Sequence, residues 1–220
     1  MTDHPDPTPG SIRSKLRRAE HRVGLSGERP ATPEERRLPQ GQRLVGQLPV
    51  LDLGVQPSIR PGDWRLSVAG AVDAPVRWDW DTFMARPQAT LTHDIHCVTN
   101  WSVYDQEWTG VQARDLLDVV RPKPEARAVM LKSHDGYSAN VPLTVFAGED
   151  VLLAHTLNGA PLDPAHGGPV RAVIPRLYFW KSAKWLRRIE FLEQDAPGYW
   201  EARGYHNDGD PWKEQRYDGG

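Results

Sequence analysis

Residues 89–97, ATLTHDIHC, decide how the chain is read. Apolar and polar side chains alternate, so Leu91, His93, Ile95 and Cys97 fall on one face of a strand and Thr92, Asp94 and His96 on the other. The strand then runs into a polar turn. Outward from it, from Leu44 on, the same alternation recurs between turn residues spaced about eight to twelve positions apart. WRLSVAG (64–70), ARAVMLKS (126–133), DVLLAHT (150–156) and the proline-bounded PVRAVIP (169–175) read as strands. KWLRRIEFL (184–192) alternates Trp185, Arg187, Ile189 and Phe191. Asn158-Gly159 is a hairpin turn, because both positions tolerate positive φ. Helices are few and short: Asp79 caps one that runs through Ala85 and ends before Pro87, and ARDLLDVV (113–120) is stopped by Pro122. About ten strands with interspersed short helices define an α+β class with a β-rich core of mixed sheets or a barrel.

Residues 1–43 are rich in charge and proline and lack a sustained period, which predicts a flexible arm with one helix near Ser14 to Val23; residues 44–220 form the folded domain. The arm is either a solvated tail or a segment that docks on a partner or subunit. Basic and acidic side chains number 27 and 29, so charge gives no reason to expect nucleic acid, and a small molecule is the expected partner. Nine Trp against four Phe, with 20 Pro and 19 Gly, fit a loop-rich fold. No stretch approaches the ~20 apolar residues of a membrane span, and the first residues lack the apolar run of a secretory signal. Arg17-Arg18 is followed by residues too polar for export, so the expected setting is cytoplasmic.

The single cysteine excludes an internal disulfide, a CxxC pair, a CxxCH haem attachment and any zinc site needing two thiolates. Alone, Cys97 reads first as a small buried hydrophobe. A zinc site from His93, His96 and Cys97 conflicts with the alternation that sends His96 away. A cysteine nucleophile would need a base such as His166 or His155, and no local signature for that chemistry is present. A thiolate holding a soft or high-valent metal, whose other ligands a cofactor brings, needs only one protein sulfur.

HGGPVRAVIPRLYFWKSAKW (166–185) concentrates His166, Arg171, Arg176, Lys181, Ser182 and Lys184. Gly167-Gly168 would let the backbone come close to a ligand, and an arginine can grip a phosphate with two parallel hydrogen bonds. The plain alternative is a set of solvated basic residues. Interleaving with Tyr178, Phe179, Trp180 and Trp185 argues that some of them border a buried or ligand-covered surface.

Together with LPVLDLG, WRLSVAG, DIHCVTNWSVYDQEWTGV, SHDGYSANVPL, LNGAPLDPAHGGPVRAVIP, YFWKSAKWLRRIEF and PGYWEARGYHNDGDPWKEQRY, these segments resemble the molybdopterin domain of the sulfite oxidase family. The likeness is strongest to the short bacterial sulfite-oxidase-like oxidoreductases and extends more distantly to the methionine-sulfoxide reductase catalytic subunit. It covers nearly all of Leu48 to Tyr217. The resemblance implies a molybdenum–molybdopterin cofactor, with Cys97 as the thiolate ligand of the metal. It implies His166, Arg171, Ser182, Ala183 and Lys184 around the pterin and its phosphate, and Leu51, Asp52 and Asp135 lining it, in part through backbone atoms. Tyr205 falls where the family keeps an active-site tyrosine beside the metal centre. Trp101, with His96 or Asn100, would shape the substrate pocket.

This chain also departs from the family pattern. Sulfite oxidases carry arginines after the cysteine, where this sequence reads Val98-Thr99-Asn100-Trp101-Ser102, and LPVLDLGV lacks another family arginine. A pocket with an indole and a hydroxyl in place of guanidinium groups is expected to favour neutral or apolar-tipped substrates, and poor sulfite oxidation follows. No haem domain is expected before the core and no immunoglobulin-like domain after it, so electrons would pass to or from a separate protein. The implied reaction is two-electron oxygen-atom transfer. The rivals are a non-catalytic molybdopterin carrier and a cysteine hydrolase.

Overall fold

A computed structural model of the chain describes residues 37–219. In chain order its strands are β1 (Arg43–Leu44), β2 (Arg65–Gly70), β3 (Val76–Asp79), β4 (Ala89–His96), β5 (Trp101–Gln112), β6 (Ala128–Ser133), β7 (Ser138–Pro142), β8 (Leu152–Leu157), β9 (Ala160–Pro161), β10 (Arg171–Val173) and β11 (Leu186–Leu192). The α-helices among the described residues are α1 (Trp80–Met84), α2 (Ala113–Val120) and α3 (Leu143–Phe146). None is long and apolar enough to cross a membrane. The expected helix near Ser14 to Val23 lies outside the described residues.

Two mixed sheets carry the fold. One runs β3-β2-β11-β6-β7; the other runs β1-β5-β8-β10, with β4 also on β5 and β9 on β8. Strand alternation explains how they stack. Leu66 and Val68 of β2, Val129 and Leu131 of β6, and Ile189 and Phe191 of β11 meet Val111, Leu153 and Ala172 of the second sheet in one buried cluster, which α2 joins through Leu116 and Val120. Leu152, Ala154 and Val173, the neighbours of Leu153 and Ala172, point the other way into a second cluster with Ile95, Cys97, Trp101 and Tyr205. The second sheet is thus buried on both faces, which is why β8 opens as a continuous apolar run.

The predicted local signals sit where expected. The Asp79 side chain accepts from the Thr82 amide and caps α1. Asn158 and Gly159 turn at φ 50° and 76° between β8 and β9. Arg121, at φ 49°, ends α2 just before Pro122. Two alternations differ from the simple reading. A register shift between Leu186 and Arg188 puts Leu186 inside and leaves Arg187 exposed, so Arg187 does not share a face with Ile189 and Phe191. A second shift, between His93 and Ile95, breaks the period of β4 at Asp94.

Residues 37–43 of the segment read as an arm pack on the domain. Arg37 pairs with Asp94 and Asp105, and Gln42 is buried.

Candidate active site

β4 and β5 are joined by the four residues Cys97-Val98-Thr99-Asn100. The Cys97 amide donates to the Trp101 carbonyl at 2.9 Å and the Asn100 amide to the Cys97 carbonyl at 3.1 Å. Asn100 takes φ 66°, a left-handed conformation asparagine tolerates and this loop length requires. Cys97 therefore sits at the mouth of a tight hairpin. It is 5% exposed, and its sulfur accepts from the Thr99 hydroxyl at 3.2 Å. Burial raises the thiol's pKa, opposed by the Thr99 bond and by the charge of Arg216.

Arg171 arrives on the same side of the sheet. Within β10 it shares a face with Val173, and its guanidinium lies 4.2 Å from the Phe179 ring centre and 5.4 Å from that of Trp108. It is 1% exposed and donates to the carbonyls of His166 and Ser182, each at 2.9 Å. No carboxylate among the described residues pairs with it. Burial pulls its pKa down to about 9, so it stays cationic near neutral pH. Lys184 repeats the pattern, donating to the Leu51 carbonyl at 2.8 Å and to that of Ala165 at 2.6 Å. Burial, reinforced by Arg171, brings its pKa to about 7. Buried Arg171 and half-buried Lys184 thus find only neutral hydrogen-bond acceptors, while the carboxylates of Asp52, Asp135 and Asp163 favour the charged form of Lys184 from farther off.

Both sides open on one cleft of about 890 Å³, its open mouth included. Of the residues named from the sequence, Leu51, Asp52, Cys97, Trp101, Asp135, His166, Arg171, Ser182, Lys184 and Tyr205 all line it. Ala183 does not; it packs in the inter-sheet core, and its carbonyl accepts from the Ala172 amide. His96 and Asn100 do not reach the cleft either, as His96 bonds the Ser102 hydroxyl at 2.8 Å and packs on Trp212. Two members of the basic cluster are spent elsewhere: Arg176 pairs with Asp150, and buried Lys181 pairs with Glu201 at 2.6 Å. The strand ends at Val173, so alternation stops governing direction there. The paired glycines accommodate the protein itself. A Cβ at Gly167, where φ is 100°, would meet Lys184 Cβ at 2.8 Å, and one at Gly168 the Leu162 carbonyl at 2.1 Å.

Sequence reasoning missed several walls. Ser133 and Tyr137 flank Asp135 at the β6–β7 turn, two residues either side, a spacing that in hindsight marks one face. Trp180 lines the cleft and its indole donates to Glu201 at 2.8 Å; Trp200 stacks on Tyr205 with ring centres 4.8 Å apart. Burial raises the pKa of Asp135 and lifts that of Tyr137 well above its ordinary value. Ser133 and Trp101 line the cleft, and their Oγ and Nε1 atoms are buried beneath it without a hydrogen-bond partner.

The fold of two mixed sheets has counterparts among known proteins. Residues 53–200 match the oxidoreductase molybdopterin-binding domain, and the chain belongs to that family of oxidoreductases. It is 43% identical over 192 residues to the uncharacterized oxidoreductase YuiH of Bacillus subtilis (strain 168), covering 87% of this chain and 97% of that protein. It is 27% identical over 215 residues to the mitochondrial sulfite oxidase of Drosophila melanogaster, covering 85% of this chain and 35% of that one. Its fold superposes on the sulfane dehydrogenase SoxCD of Paracoccus pantotrophus with a TM-score of 0.61 at 22% identity, covering 66% of this chain and 42% of the other.

Proposed function

We propose that this chain is a molybdenum–molybdopterin oxidoreductase that transfers an oxygen atom to or from a small neutral substrate other than sulfite. The observation that carries the reading is a single cleft lined both by the lone thiol of Cys97 and by Arg171 and Lys184, whose hydrogen bonds go to carbonyls. The donor set fits the group. Cys97 supplies a soft ligand for the metal, and a metal cation offsets the penalty that burial places on the thiolate. Arg171 and Lys184 would hold the phosphate, while Ser133, Ser182 and the edges of His166, Asp135, Leu51 and Asp52 would meet the pterin. When bound, this cofactor supplies the two-electron chemistry and the oxygen transfer. The chain's own part would be to exclude water with Trp101, Trp180 and Trp200, and Tyr205, which lines the same cleft, could donate its hydroxyl to a substrate oxygen. A separate one-electron protein takes or supplies electrons. We place the activity in the cytoplasm, where a lone reduced thiol persists.

A cysteine hydrolase finds less support. His155 packs against Trp80 and Phe83, and among the described residues the Cys97 sulfur accepts from Thr99 and bonds no histidine. The decisive experiment compares protein matured with molybdate and with tungstate in cells that make the pterin. Stoichiometric metal that exchanges between the two is expected, together with a Cys97→Ser variant that keeps the pterin and loses turnover. Protein holding neither metal nor pterin, or a fully active Cys97→Ser variant, overturns the reading; pterin without redox cycling of the metal supports a carrier instead.

A further inference from the structure

The turn that carries Cys97 has few bonds of its own, and both ends of the described chain close on it. From the N-terminal side, the Arg43 amide donates to Asn100 at 3.1 Å and the Val45 amide to Ser102 at 2.8 Å, so the backbone runs parallel to the start of β5. Just before these residues, the buried Gln42 amide donates to the Cys97 carbonyl at 2.9 Å, and its oxygen accepts from the Ser102 hydroxyl at 3.3 Å. From the C-terminal side, Arg216 donates to the Val98 carbonyl at 2.6 Å, with its guanidinium 5.1 Å from the Tyr178 ring centre. The two ends also touch: a Cβ at Gly41 would lie 3.3 Å from Arg216 Nη2.

Consecutive carbonyls, those of Cys97 and Val98, are thus each held by a long-range side-chain donor. The first carbonyl sets ψ of Cys97, and only χ1 separates the backbone from the sulfur, so rotation of that peptide swings Sγ. Arg37 anchors the N-terminal strap by gripping Asp94 at the β4 irregularity and Asp105 across it. Neither Gln42 nor Arg216 lines the cleft.

We propose that Gln42 and Arg216 are positioning residues for the Cys97 thiolate, fixing its orientation toward the metal by holding the Cys97 and Val98 carbonyls from opposite ends of the chain. This rests on Cys97 being the metal ligand. The role explains what residues 37–43 do: they form a strap that completes the thiol's mounting.

The test uses Gln42→Glu, which keeps the shape and removes the amide donor, and Arg216→Met, which keeps much of the stem. Two quantities are read in folded protein: hydrogen exchange at the Cys97 and Asn100 amides, and the thiolate-to-metal charge-transfer band of the oxidised holoprotein. Exchange is expected to speed about fivefold at those amides, as loss of one ordinary hydrogen bond implies, and not at Leu131 in the other sheet. The band shifts in each variant, and acidification that protonates the introduced carboxyl of Gln42→Glu restores it. Faster exchange with an unmoved band makes the residues merely structural and overturns the proposal, as does no change in either. Should Gln42→Glu fail to fold, Arg37→Ala loosens the same strap from its far end and is read the same way. Wild-type protein that never shows the band sinks the ligand assignment itself, a failure distinct from an unmoved band.

Discussion

The two sides of the cleft solve opposite electrostatic problems. Around Arg171 and Lys184 the fold gathers positive charge, wholly or partly buried, whose hydrogen bonds go only to peptide carbonyls. Around Cys97 it packs Val98, Trp101, Trp180 and Tyr205, and the nearby cation, Arg216, stands behind the Val98 carbonyl outside the cleft lining. On the proposed reading, positive charge gathers where a tethered anionic ligand would be held, and the cleft-lining residues clustered with Cys97 include no cation. Under the proposed function this difference would assign anchoring and selectivity to separate surfaces, so each can be broken alone.

The largest effect concerns the uncharged side. A doubly charged oxyanion arriving there finds no lining cation left over from the anchor, and a desolvated charge without its partner costs about 2–5 kcal/mol. Sulfite-dependent kcat/KM is therefore expected to lie between about thirtyfold and a few thousandfold below that for the best neutral sulfur or nitrogen compound in a panel assayed with a one-electron dye. Sulfite turnover at ordinary catalytic efficiency would erase the contrast between the two sides. On the same side, Tyr205→Phe keeps the stack on Trp200 and deletes one donor. Turnover with the best substrate should drop about a hundredfold, with metal and pterin content unchanged.

The cationic side should show opposite pH responses with and without its ligand. Lys184 has a folded pKa of about 7 against an ordinary 10.5, so between those values the unfolded chain binds a proton that the folded chain does not. Stability of the ligand-free protein from this group therefore rises with pH across that window and is lost as pH falls through 7. A bound phosphate favours the ammonium, so pterin retention is expected to weaken above pH 7, the reverse trend. Denaturant midpoints and pterin dissociation, followed from pH 6 to about 9, check both slopes. Lys184→Met should flatten them and weaken pterin retention by roughly tenfold, the worth of one charge-assisted bond.

This contrast was only partly legible in the sequence. Local rules sufficed where one residue decides a conformation: the Asp79 cap and the Asn158-Gly159 turn. They failed where geometry is set by distant partners. The irregularities at Asp94 and before Arg188 reverse the period without any glycine or proline to announce them. β1 is two residues long and has no period at all, so Gln42 looked like part of a tail. Arg176 and Lys181 resembled Arg171 in composition, yet they follow the end of β10 and their acids, Asp150 and Glu201, lie 26 and 20 residues away in sequence. The family resemblance rested on motif order, and residues from several of those motifs line the one cleft.

The smallest effect isolates the thiol from its surroundings. Thr99 donates to the Cys97 sulfur from within the same turn, and Thr99→Val removes that donor while keeping the branched shape. The bond to a neutral sulfur in the ligand-free chain is weak, so stability should fall by no more than about 1 kcal/mol, read from the urea midpoint. In the holoprotein the same hydroxyl meets a thiolate, and a bond to a charged acceptor is worth about 1.5–3 kcal/mol. Removing it should raise the electron density the sulfur donates and make the metal harder to reduce. A lowered potential together with a nearly unchanged midpoint is expected for a residue that tunes the ligand. A large stability loss with no change in potential would assign Thr99 to the turn alone and leave the uncharged side of the cleft without an electronic role.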